Sequence, residues 1–160
     1  MASHNPQVWW QQEAVILHSL RLLHSFLHWT GYALIDTNAP PLLVAQRLFE
    51  AAFVVVSHGT EADPIFNYGN RKALELWQLD WEAFTNLPSR CSAEPVAQSE
   101  RLLMLLQAKN QGYISNYRGI RISSTGKRFF IEDGIIWNVL DESQRPCGQA
   151  ATFSRWTEIT

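Results

Sequence analysis

The chain of 160 residues is 46% hydrophobic and 18% charged, with a formal net charge of −2. Those values suit one globular domain with a real core, and they exclude an overall electrostatic case for direct binding to nucleic acid or an acidic membrane. The apolar runs are too short and interrupted to span a bilayer, and the opening MASHNPQVWWQQ lacks the basic start and apolar stretch of a secretory leader. Cys91 and Cys147 are accordingly read as free thiols in a reducing, cytoplasmic compartment.

In chain order, residues 7–29 predict a helix, because Ile16, Leu20, Leu23 and Leu27 recur at helical spacing, Trp9, Leu17 and Phe26 widen the stripe, and Gly31 is a stop. After the break at Asn38 to Pro41, LLVAQRLFEA predicts a second helix or turn, and AFVVVSHG a short strand rich in β-branched residues. IFNYGN is a brief strand. Asn70 then caps the helix RKALELWQL, and Asp80 caps WEAFTNL. Pro95 opens a longer helix through Ala108, with Val96, Leu102, Leu103, Leu105 and Leu106 as its apolar content and Gly112 as its stop. Ser124, Thr125 and Gly126 supply a hairpin turn between ISNYRGIRIS and a long strand within residues 126–142. Alternation along that strand puts Phe129, Ile131, Ile135, Trp137 and Val139 on one face with Asp133, and Phe130, Ile136 and Leu140 on the other. GQAATFSRW is the last strand.

This order of helices, two strands, three helices and three hairpin-joined strands resembles the PAS fold. That resemblance implies an α+β domain built on a five-stranded antiparallel sheet, with helices covering one face and room for a small ligand. The blocks FNYGNRKALELW, LPSRCSAEP with Glu100 and Arg101, and GYISNYRGIRISSTGKRFFIEDGIIWNV ending in GQAATFSRW look like the PAS-related MEKHLA domain family. That family occurs alone in cyanobacteria and other bacteria, and as the C-terminal module of plant class III homeodomain leucine-zipper proteins. The match implies residues 1–44 as a helical extension packed on the sheet or on a partner, and residues 45–160 as the PAS-like domain. It also implies a sensory or regulatory interaction module without established catalytic residues. No basic region, zipper heptad or homeodomain is visible, so a role in transcription would run through a partner.

PAS relatives commonly bind cofactors, so each reading is weighed on residues. Cys91 precedes the long helix where light-oxygen-voltage (LOV) photoreceptors carry their reactive cysteine, but here it sits in PSRCSAEP, and the Asn before that cysteine is replaced by Arg90. Alignment on the GK turn places Arg121 and Ile131 where those domains carry two flavin-reading amides, and Ile131 cannot hydrogen-bond a ring edge. No cofactor is therefore expected, and a flavin photosensor or redox sensor using Cys91 stands as an alternative. Residues 95–111 hold no His for a haem, and His24 and His28, though spaced i, i+4, lack a third ligand for a metal. A second alternative is a small cone-fold enzyme with Asp133 as general base, against which Arg118, Arg121 and Arg128 are near enough in sequence to pair it structurally.

If a pocket is present it lies between the sheet and helices 70–111, with Phe66, Tyr68, Trp77, Cys91, Tyr117, Ile131, Asp133 and Trp137 as its candidate residues. Aromatic walls with one acid would suit a flat or weakly basic metabolite. The N-terminal helix, with Trp9, Trp10 and Trp29 beside its stripe, is the candidate surface for a homodimer or a protein partner.

Overall fold

The longest strand, β4 (Arg128–Leu140), organises the molecule, whose computed structural model describes residues 6–160. On one side it pairs with β3 (Tyr113–Ile122), on the other with β5 (Pro146–Phe153), which pairs in turn with β1 (Val54–His58), and β1 with β2 (Phe66–Gly69). Every pairing is antiparallel and the order is β2-β1-β5-β4-β3. The expected last strand is broken at Ser154: β6 (Arg155–Ile159) continues along the same edge of β4, with Glu132 opposite Arg155 as Ile135 is opposite Thr152.

The break faces Asp133, a non-glycine residue in the left-handed region (φ +54°), where the β3 register also shifts at Tyr117 and Gly134. A bulge of this kind interrupts the two-residue alternation of side chains. Phe129 consequently packs on Trp77, centroids 5.2 Å apart, whereas Trp137 points to the opposite face and meets Phe26 at 5.0 Å. The single face expected for Phe129, Ile131 and Trp137 is thus two faces joined at Asp133.

The Trp137 face is covered by α1 (Glu13–Thr30), which buries Leu22, Leu23 and Phe26 there. Polar ties fix the contact: Trp137 Nε1 donates to the Leu22 carbonyl (3.1 Å), Trp29 Nε1 to that of Asn138 (2.8 Å), and Leu140 N to Ser25 Oγ (2.7 Å). The helix begins later than the expected residue 7. Residues Pro6–Gln11 form a separate 3-10 turn that carries Trp9 onto Trp81, rings 5.8 Å apart.

The other face is covered by α3 (Arg71–Trp77) and α5 (Pro95–Gln111), with α4 (Trp81–Phe84) beside β2 and α2 (Pro41–Phe49) against α1. The expected caps are in place, Asn70 Oδ1 accepting from Ala73 N (3.2 Å) and Asp80 Oδ1 from Ala83 N (2.8 Å). The hairpin tip is tied to the end of α3, where Ser124 N donates to the Trp77 carbonyl (3.0 Å) and Ser124 Oγ to that of Gln78 (2.8 Å).

Gly112 ends α5 at φ +96°, and a Cβ there would lie 2.4 Å from the Trp29 ring. Gly112→Ala therefore combines a left-handed backbone with a collision that α1 can relieve only by shifting. A loss of about 1–3 kcal/mol is expected in urea unfolding, and an unchanged midpoint would contradict the contact.

Candidate functional site

Between the sheet and α3 and α5 lies a cavity of about 30 Å³. It has room for about two or three water-sized groups, far below the several hundred Å³ of a metabolite pocket. One wall is apolar, formed by Phe66, Trp77, Ile136 and Phe153, with Phe66 stacked on Phe84 at 4.3 Å. Another part of the lining is cationic. Arg101 from α5 and Arg121 from β3 line it with Tyr117, and they are only 8% and 2% exposed.

Arg121 reaches the interior because β3 alternates, placing it on the same side as Tyr117. Its Nε and Nη2 donate to Tyr117 Oη at 3.1 and 2.7 Å, its Nη1 donates to the Ile120 carbonyl at 2.7 Å, and its guanidinium lies 5.1 Å from the Tyr117 ring centroid. Arg101 is one of two buried residues of α5, the other being Ala108. Burial lowers its pKa, as does the charge of Arg121, while the neighbouring Tyr117 acts the other way.

Two histidines flank this region. His58, on β1 at the cavity, hydrogen-bonds through Nδ1 with Ser89 Oγ (2.6 Å), and burial and then the Arg101 charge depress its pKa to about 4. His18, on α1, meets Ser57 Oγ through Nε2 (2.8 Å), and burial followed by the Arg21 charge brings it to about 4 as well. Both are neutral at physiological pH.

Of the residues expected at a pocket, Phe66, Trp77 and Tyr117 come together at the cavity. Tyr68 does not. The bulge between Ser57 and His58 turns it toward α1, its ring 6.0 Å from His18 and 5.6 Å from Trp81, and burial raises its hydroxyl pKa. Trp137 lies under α1, and Ile131 is core packing at 1% exposure away from the cavity lining.

Asp133 is exposed, where it accepts from Arg155 Nη1 at 3.1 Å. This geometry removes the general-base reading, which needs an acid in an apolar pocket without an adjacent cation. Of the arginines considered beside it, Arg128 pairs instead with Glu94 (2.9 Å) and Arg121 points inward. The cavity lining therefore carries two arginines and no carboxylate where one acid was expected.

Cys91 is exposed on a 3-10 turn, Ser89–Ser92, and does not line the cavity. A flavin does not fit these residues, because its ring system exceeds the cavity and no thiol faces inward. His24 and His28 open onto a groove with Asp141 and Glu142, and among the described residues no group of three or more His, Cys, Asp or Glu is arranged for a metal ion. No helix of the described residues is long and apolar enough to cross a membrane.

Among the residues missed as cavity walls were Arg101, His58 and Gln149, with Arg121 weighed only as a flavin-position residue and an ion-pair partner. The signal for Arg121 was available in its even spacing from Tyr117. Arg101 had a weaker one, lying four residues before Leu105 and seven before Ala108 on a single helix face.

Comparison with known proteins agrees with this architecture. The PAS domain of a protein from Colwellia psychrerythraea is similar with a TM-score of 0.60 and 16% identity, over 72% of this chain and 93% of that one. A light-oxygen-voltage domain from work on a flavin analogue is similar at a TM-score of 0.56 and 13% identity, over 74% and 84%. Homeobox-leucine zipper protein ATHB-9 of Arabidopsis thaliana is 22% identical over 108 residues, which are 68% of this chain and 13% of that protein. The sequence model of the MEKHLA domain matches residues 16–158, from α1 into β6. The chain belongs to the MEKHLA domain family and has an α+β, PAS-like fold.

Proposed function

We propose that the chain is a non-catalytic sensory or regulatory module of the cytoplasm that acts by contact with another protein surface, a second copy of itself first of all. The observation that carries this reading is the arrangement of α5. One face of the helix turns Arg101 and Leu105 to the inner cavity, while the other leaves Leu102, Leu103 and Leu106 at 54, 68 and 46% exposure. Adjacent exposed leucines on a helix that also walls a cavity join an interior site to a surface able to associate. MEKHLA and PAS domains are typically non-catalytic sensor modules, which supports the same reading. So does the likeness to a homeobox-leucine zipper protein, of which this chain spans a small part.

A second surface has its own observation. The inner stripe of α1 is spent on its own sheet, but Leu17 and Leu27 remain 43 and 47% exposed. Sedimentation of the full chain distinguishes the two. Self-association is expected, with Leu103→Glu and Leu106→Glu together returning it to monomer while circular dichroism is unchanged. Loss of association in Leu17→Glu with Leu27→Glu instead would move the contact to α1. A chain that stays monomeric at every concentration would overturn self-association.

A further inference from the structure

We propose that Arg101 and Arg121 form a binding site for a small planar oxyanion, of the size and charge of formate or acetate, in the inner cavity. The inference rests on the sensory reading of that cavity and names the chemical class it receives.

Six ion pairs are formed among the described residues, using Arg21, Arg71, Lys72, Arg90, Arg128 and Arg155. The two most deeply buried arginines are absent from that set, although each is more than nine-tenths buried. A guanidinium stays protonated under any condition the fold survives, so it does not escape burial by neutralising as a lysine would. An isolated buried charge costs several kcal/mol, and two of one sign facing a common space add mutual repulsion. Apolar groups of similar volume can replace buried charged groups at little cost to stability.

The partners that Arg121 does have are neutral: the Tyr117 hydroxyl and ring, and the Ile120 carbonyl. They orient its fork and leave the net charge uncompensated. Arg101 lies beside the same hydroxyl, which is its neutral partner there, and it takes part in none of the six ion pairs. The cavity lining contains no carboxylate, and its one further titratable ring, His58, is neutral at physiological pH. A small anion would supply the charge that the neutral partners of this wall do not.

Size narrows the class. About 30 Å³ between the cationic wall and Phe66, Trp77 and Phe153 accommodates a few heavy atoms and excludes nucleotides and aromatic cofactors. A planar carboxylate suits guanidinium forks, which donate two parallel N–H groups, and the apolar wall accepts the hydrogen or methyl of formate or acetate. Nitrate and bicarbonate share the planar, singly charged oxygen chemistry and differ in having no apolar end.

The test uses the full chain, with 13C-formate and 13C-acetate linewidths read by NMR against added protein at constant ionic strength. Saturable broadening is expected for the wild type, with affinity about tenfold or more weaker in Arg101→Gln, as loss of a charge-assisted contact implies. Nitrate and bicarbonate are used as competitors: displacement by acetate alone assigns an organic acid, and equal displacement assigns the wider oxyanion class, both supporting the site. Absence of broadening, or equal displacement by chloride, would overturn it. Arg101→Met guards against a folding artefact, because an uncompensated buried cation replaced by an apolar chain should leave the melting temperature unchanged or higher without anion. Anion binding and sedimentation are separate readouts, so binding that leaves association unaltered sinks the coupling through α5 and keeps the site.

Discussion

Acidification from pH 6.5 to about 4 is expected to remove about 3 kcal/mol of stability for each of His18 and His58. Both imidazoles titrate near 4 in the folded chain against an ordinary 6.5. The unfolded chain therefore binds more protons throughout that interval, so stability rises with pH across it, is fully present above about 6.5, and is lost as pH falls through the folded values. The cause is burial in both cases, reinforced by Arg21 beside His18 and by Arg101 beside His58. Facing His58, Gln149 from β5 and Glu61 from the loop after β1 act in the opposite direction, and Ser89 holds Nδ1. Glu61, Asp141 and Glu142, whose carboxyls are held low first of all by hydrogen bonds, lose their contributions at still lower pH. Against a typical total of about 5–15 kcal/mol, a loss of this size brings the chain to the edge of unfolding. Urea unfolding at pH 7, 5.5 and 4.5 should give steadily falling midpoints, and the double variant His18→Gln with His58→Gln should flatten the series. A wild-type midpoint constant over that range would show that the rings are not buried neutral groups.

What was legible in the chain follows the range of the forces involved. Asn70, Asp80, Gly112 and Gly126 announce their roles because caps, stops and turns depend on a few neighbouring residues, and all four occupy the expected places. The reversal at Asp133 was hidden, because a left-handed aspartate is specified by pairing with β3 and by the break in the facing strand, not by its own neighbours. That reversal accounts for the misplacement of Trp137, and the bulge at Ser57 and His58 does the same for Tyr68. The leucines of α5 pose a different problem. LLMLL surrounds the helix, so composition says that it is apolar without saying which side is inside, and the sheet selected Arg101 over Leu102 and Leu103. A pocket's charge was therefore the least legible property, since it rests on one arginine per element brought together only by tertiary packing.

Asn70→Ala is expected to cost at least about 3 kcal/mol, well beyond an ordinary helix cap, because its side chain is a junction of four backbone segments. The Oδ1 accepts from Ala73 N at 3.2 Å and from Val55 N at 3.1 Å, while Nδ2 donates to the Leu48 carbonyl at 3.2 Å and the Phe53 carbonyl at 2.8 Å. The end of α2, the approach to β1, β1 itself and the start of α3 thus converge on one amide that is 0% exposed. Each buried backbone group deprived of its partner costs about 1–3 kcal/mol, and water cannot reach the site to replace the loss. Asn70→Asp keeps the shape and both acceptor contacts, yet it turns a donor into an anionic oxygen aimed at two carbonyls, so it should also be strongly destabilising or hold its carboxyl protonated. Asp80→Ala is the control. It removes a cap of the same type whose contact is exposed, for which about 1 kcal/mol is the ordinary value. Urea unfolding of the three variants separates the two roles: equal losses for Asn70→Ala and Asp80→Ala would reduce Asn70 to a cap. A much larger loss at Asn70, shared by the aspartate variant at neutral pH, would identify it as the polar joint on which α2, β1 and α3 are assembled.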